Sequence, residues 1–267
     1  MFATVKDLRI AYEDTGGGPP ILLLHGFPLN RHMWRPQVEA LAARYRVIAP
    51  DFRGHGESDA PPGPYSMEQF ARDVHTLIHH HLGVEGKLVV GGLSMGGYVA
   101  FRFVERYPEH VHALILADTR AEADSEEGRE RRMKAIAQIE TEGPAPFLEG
   151  FLKALVAPTT PERAPDVVVR LREMMAWPPA HSLTATLRAL ADRPDSTPLL
   201  STIKVPTLII VGEEDVPTPA DSSRTMHQAV AGSRLTVIPN VGHMSNLEDP
   251  EAFNRALVEF LGGVGTW

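Results

Sequence analysis

The sequence predicts an α/β fold: a mostly parallel central sheet of about eight strands, helices on both faces, and a helical cap inserted before the last two strands. Three observations predict it. Apolar runs such as Ile21–Leu24 and Leu88–Val90 are continuous rather than alternating, which marks strands buried on both faces. These runs alternate with longer segments of helical periodicity. One interval of almost ninety residues, from Asp118 to Thr207, carries helical patterns and prolines but no strand pattern, far more than a single crossover needs.

The elements follow in order. The N-terminus opens a strand, and Leu8–Glu13 alternates at period two before the turn Thr15-Gly16-Gly17-Gly18-Pro19. Ile21–Leu24 is a strand ending at His25-Gly26, Met33–Arg44 is helical, and Arg46–Ala49 is a strand ending at Asp51. Ser66–His81 reads as a helix with Ser66 as N-cap. The strand Leu88–Gly92 runs into a helix at Met95–Tyr107, and Ala113–Ala117 is the next strand. The cap helices are Glu126–Glu142, Pro146–Val156, Asp166–Met175 and His181–Ala191. Thr207–Val211, a helix near Ala220–Val230, the strand Leu235–Ile238 and the helix Pro250–Leu261 close the chain. This assigns residues 1–118 and 192–267 to a core domain and 119–191 to the cap.

Composition narrows the chemistry. A chain of 267 residues buries roughly 70–75% of its unfolded surface, so it folds without a staple. With no cysteine there is no disulfide, thiolate metal site, iron–sulfur cluster or thiol nucleophile. A net charge of −8 without a basic stripe argues against nucleic acid as a partner. No apolar run reaches the roughly 18 residues of a membrane span, and the N-terminus lacks a signal-peptide core, so the expectation is the cytoplasm. Nothing in the composition opposes a homo-oligomer.

In such a sheet, ligands bind at the carboxyl ends of the strands. There lies Gly92-Leu93-Ser94-Met95-Gly96, a G-x-S-x-G between a buried strand and a helix. A turn this tight raises the Ser94 hydroxyl above the sheet, and the helix N-terminus beneath it favours negative charge. A serine needs a base, and histidine suits the work because its ordinary pKa lies near neutrality. Of 12 histidines, His79, His80 and His81 read as a solvated helix end rather than a metal site. His25 and His55 precede the serine, and His25 reads as a residue that shapes its loop. His243 follows the last strand on a loop that reaches the same edge. The acid that orients it is Asp215, just past the second-to-last strand, with Asp118 as the runner-up. The oxyanion donors are the N–H groups of Met95, directly after Ser94, and Phe27, since the neighbouring Pro28 has no N–H. Trp34, Phe147, Phe151 and Trp177 are candidates for an apolar pocket. No basic residue stands out as a carboxylate clamp; the cap arginines Arg129, Arg131, Arg132 and Arg172 could serve as one, but read first as a solvated helix face.

Together, His25-Gly26-Phe27-Pro28, the segment Asp51–Ser58, the Gly92–Gly97 turn, Gly212-Glu213-Glu214-Asp215 and Gly242-His243 resemble the ordered signature of the α/β-hydrolases. The resemblance spans nearly the whole chain and, with the four-helix cap, is greatest to the carboxylesterase and enol-lactonase branch. It implies the chain order Ser94, Asp215, His243 for a catalytic triad and a structural role for Asp51–Ser58. It also implies cofactor-free and metal-free cleavage of a small, fairly apolar ester or lactone through an acyl-enzyme. The serine at position 94 argues against the dehalogenase and epoxide-hydrolase relatives, which use aspartate there. A cofactor-free haloperoxidase or perhydrolase, a carbon–carbon bond hydrolase and a small-ligand receptor that turns over very slowly would keep the same triad.

Overall fold

Apolar runs covered on both sides set the architecture of the computed structural model, which describes residues 1–265 and 267. Eight strands form one sheet: β1 (Phe2–Val5), β2 (Leu8–Thr15), β3 (Pro20–Leu24), β4 (Arg46–Pro50), β5 (Leu88–Leu93), β6 (Val111–Ala117), β7 (Thr207–Gly212) and β8 (Arg234–Ile238). Their spatial order is β1-β2-β4-β3-β5-β6-β7-β8. β1–β2 and β2–β4 pair antiparallel, and every other pair is parallel. Alternate side chains feed two separate cores. Leu22, Leu24, Val90, Leu114 and Ile209 point to one face, while Ile21, Leu23, Val89, Ile115 and Ile210 point to the other. The continuous apolar runs are thus explained by burial on both sides.

The helices depart from expectation at their ends, for local reasons. The segment expected as one helix over Met33–Arg44 begins as a 3₁₀ turn (Arg31–Trp34), continues as α1 (Arg35–Leu41) and stops there. The β2–β3 turn occupies the space of a further helical turn: a Cβ on Gly16 would lie 2.3 Å from the Tyr45 carbonyl and 2.4 Å from that of Ala42. Ser66 caps α2 (Met67–His75) by accepting the Gln69 N–H at 3.1 Å. The expected continuation to His81 then widens into a π turn over Thr76–His81, closed by Leu82 N–H donating to Leu77 C=O at 2.9 Å. His80 and His81 are exposed, but His79 is half-buried, against the expectation of a solvated run.

α3 (Met95–Arg106) follows β5 directly. Between β6 and β7 lie α4 (Glu126–Glu142), α5 (Pro144–Leu155), α6 (Thr160–Arg163), α7 (Pro165–Met175), α8 (Ala180–Ala191) and α9 (Thr197–Leu200). α4 packs on α8 and α5, and α5 packs on α7, forming a helical cap. Its two ends meet at Asp124, whose buried carboxylate pairs with Arg120, Arg132 and Arg193. Burial alone would raise the Asp124 pKa, but Arg132 and Arg193 hold it below its ordinary value. α10 (Ala220–Ala229), α11 (Ser245–Glu248) and α12 (Pro250–Gly263) complete the fold. No helix among the described residues is long and apolar enough to cross a membrane.

Candidate active site

The turn after β5 is as tight as the glycine spacing implies. Ser94 has φ 55° and ψ −116°, a region that a residue with a side chain occupies only under strain. A Cβ on Gly92 would stand 2.2 Å from the Gly96 carbonyl oxygen, and one on Gly96 would stand 2.1 Å from that of Leu24. Only glycine fits at either place. Although Ser94 precedes α3, its side chain makes no capping hydrogen bond, so the hydroxyl is not consumed by the helix. Its carbonyl accepts the Thr119 hydroxyl at 2.9 Å, which braces the turn from behind.

Across the sheet edge, the loop after β8 carries His243, 2% exposed. Its Nδ1 lies 2.9 Å from both Asp215 oxygens, so Nδ1 donates to the carboxylate and Nε2 is left without the ring proton. Asp215 also accepts the Thr218 N–H at 2.8 Å and its hydroxyl at 2.7 Å. The runner-up acid, Asp118, makes no such contact. It is fully buried, accepts the Gly212 N–H at 2.9 Å and the Ser245 hydroxyl, and is pushed well above its ordinary pKa by burial and by the nearby Asp215 charge.

A cavity of about 70 Å³ brings Phe27, Ser94, Met95 and His243 together. Phe151 lines it from α5, Tyr98 from α3, Arg132 from α4 and Leu190 from α8, and Arg120, Pro217 and Thr218 line it from loops. Arg120, Arg132, Phe151 and Pro217 also line a larger cavity of about 540 Å³ beneath the cap, which includes Phe147 and Arg131. Phe27, Phe147 and Phe151 pack as one aromatic wall, with ring centroids 5.6–6.4 Å apart. Two expected pocket residues lie elsewhere. Trp34 is 1% exposed and packs on Phe253 beneath α1 and α12. Trp177 is 44% exposed and stands edge-on to His32 in a separate cleft on the flank. Of the four cap arginines, Arg132 lines this cavity rather than a solvated face, and Arg120, from the loop after β6, lines it as well.

The flanking loops are fixed from beneath. His25 donates from Nδ1 to the Gly26 carbonyl at 3.0 Å and accepts the Phe52 N–H at Nε2, also at 3.0 Å, which shapes the Phe27 loop. Burial lowers its pKa to about 4. Asp51 accepts the N–H groups of Arg31 and Glu57 and pairs with the Arg31 guanidinium, so the 51–58 segment serves structure. The buried Glu248 carboxylate accepts the Gly242 N–H at 2.9 Å, the Ala157 N–H at 2.9 Å and the Thr160 hydroxyl. It thereby ties the His243 loop to the segment that follows α5.

A parallel sheet that lifts a serine on a strained strand-to-helix turn, with a buried Asp–His pair on later loops, defines a hydrolase framework. The family model described as alpha/beta hydrolase fold matches residues 19–250, and the chain belongs to that family. It is 30% identical over 257 residues to 3-oxoadipate enol-lactonase 2 of Acinetobacter baylyi, covering 95% of this chain and 93% of that one. A thermophilic esterase from Thermogutta terrifontis, solved with malate bound, is 41% identical with a TM-score of 0.94, over 100% of this chain and 99% of that one. A bromoperoxidase from Bacillus anthracis is 27% identical with a TM-score of 0.88, over 98% and 99%.

Proposed function

We propose that this chain hydrolyses small carboxylic esters or lactones through Ser94, His243 and Asp215, by way of an acyl-enzyme. The observation that carries the reading is the His243 ring, fixed through Nδ1 by Asp215 in the cavity that Ser94 also lines. With the Nδ1 proton committed to Asp215, Nε2 holds the lone pair that takes the Ser94 proton. Ser94 Oγ adds to the carbonyl carbon, and the charge on the carbonyl oxygen meets the N–H groups of Phe27 and Met95. His243 then gives its proton to the leaving alkoxide, which departs as the alcohol or opens the lactone ring. Water attacks the acyl-enzyme, passes a proton to His243, and the acid leaves as Ser94 regains its hydrogen. Asp215 remains a carboxylate throughout and stabilises the imidazolium.

The enol-lactonase and the esterase support a carboxylic carbonyl as the target. The wall of Phe27, Phe151 and Leu190 suits a small apolar group. Arg120 and Arg132 add room for a carboxylate on the non-reacting part of the substrate, and malate, bound by the Thermogutta esterase, is a dicarboxylate. The bromoperoxidase supports a second reading on the same residues, in which hydrogen peroxide replaces water at the acyl-enzyme and a peracid leaves.

The test is a panel of p-nitrophenyl esters, simple lactones and peracid formation from acetate and peroxide. Ser94→Ala serves as the blank and is expected to cut turnover by about 10⁶. Near-wild-type turnover in that variant overturns the reading.

A further inference from the structure

Three imidazoles that the proposed chemistry does not use converge at the amino end of the sheet. His75 ends α2, His79 sits in the π turn that follows, and His110 closes the short turn leading into β6. Ser94 lies at the opposite end of β5, whose six residues separate the two places by roughly 20 Å at 3.3 Å per residue. The cluster is therefore remote from the reacting atoms.

The rings are held and oriented. Tyr107 stacks on His75 with centroids 3.7 Å apart. His75 Nε2 faces His110 Nδ1 at 3.0 Å. His79 Nδ1 donates to the Val84 carbonyl at 2.8 Å, which fixes its tautomer and leaves Nε2 as the free lone pair. That Nε2 is buried and has no hydrogen-bond partner. One nitrogen from each of the three rings lies within 4.8 Å of the other two.

We propose that His75, His79 and His110 form a structural binding site for a divalent transition metal ion, with zinc as the best fit. Three neutral imidazoles with a fourth position open to water suit zinc at Zn–N distances of about 2.0–2.1 Å. The backbone carbonyl behind His79 is the outer partner that metal-bound imidazoles ordinarily have. The Nε2 that lacks a partner gains one. The hydrogen shared between His75 and His110 moves to the outer nitrogen of its ring, and both facing nitrogens turn to the ion with no net release of protons. Glu109, beside His110, offsets part of the ion's charge. A bound ion would clamp the end of α2 to the start of β6.

The experiment uses tag-free full-length protein stripped with chelator. Calorimetric titration with Zn²⁺ is expected to give one ion per chain, and Co²⁺ is expected to give the visible absorption of a tetrahedral nitrogen-ligated site. Tm should rise with free Zn²⁺. His79→Gln and, separately, His110→Gln should each weaken binding at least tenfold and abolish the Tm response. Esterase turnover should be the same with and without the ion. No saturable binding in the stripped wild type, or binding that survives both substitutions in folded protein, overturns the proposal.

Discussion

His243 and Asp215 meet symmetrically: Nδ1 stands 2.9 Å from each carboxylate oxygen, and Thr218 fills the remaining positions on that carboxylate. An amide at position 215 could present its NH₂ to Nδ1 and force the ring into the other tautomer, with its proton toward Ser94. Asp215→Asn is therefore expected to lower kcat by about 10⁴ while leaving Tm near wild type. Steady-state rates on p-nitrophenyl butyrate decide it, and a loss of only a few-fold would assign the orienting role elsewhere.

Thr218 is the second support of that carboxylate. Thr218→Val keeps the backbone donor and removes the hydroxyl. Hydrogen bonds to charged groups contribute about 1.5–3 kcal/mol, so kcat/KM should fall by about ten- to a hundredfold. Thr218→Ser should restore most of it. Equal losses in the two variants would point to packing rather than the hydroxyl.

The two guanidinium groups on the cavity wall predict a substrate preference. Arg132→Gln should reduce kcat/KM for a p-nitrophenyl monoester of succinate about tenfold more than for the butyrate ester. Arg193 and Arg120 still neutralise Asp124 in that variant, so the cap end stays anchored. An unchanged ratio between the two esters would exclude the carboxylate subsite.

Acid sensitivity follows from two buried histidines. Burial lowers His25 to about 4 and His55 to about 3, from an ordinary 6.5. Between those values the unfolded chain binds protons that the folded chain does not, so stability falls as pH drops from about 6.5 toward 4. Above that window their contribution is fully present. Asp118, pushed upward, acts in the opposite sense. The clean readout is the difference between wild type and His55→Gln: urea midpoints of the variant should depend less steeply on pH. Parallel slopes would remove His55 from the account.

What the sequence made legible was local. The Gly92–Gly96 spacing encodes its turn by steric necessity, and the apolar runs encode a sheet covered on both faces. His243 and Asp215 were readable because strand ends in such sheets converge. The pocket was not. Its wall joins the loop after β6, three cap helices and the Asp215 loop, and no periodicity records which faces of those helices look inward. Trp34 and Phe151 are alike as letters, yet one fills the core and the other faces the cavity. Arg120 and Arg132 acquire meaning only once Asp124 is known to lie between them. The π turn after His75 left no apolar signature either, which is how a half-buried His79 passed for a solvated one.

Glu248 bears on how this architecture can be rebuilt. One carboxylate holds the backbone beneath His243 and the backbone leaving α5, so these two segments share a single anchor. The helices above the sheet are consequently not an interchangeable module. A chimera that imports a foreign set of helices while discarding Ala157 and Thr160 inherits Ser94, Asp215 and His243 but releases the strut that registers the His243 loop. Grafts spliced downstream of Thr160 keep that strut, and this boundary separates retuning the enzyme's selectivity from dismantling it.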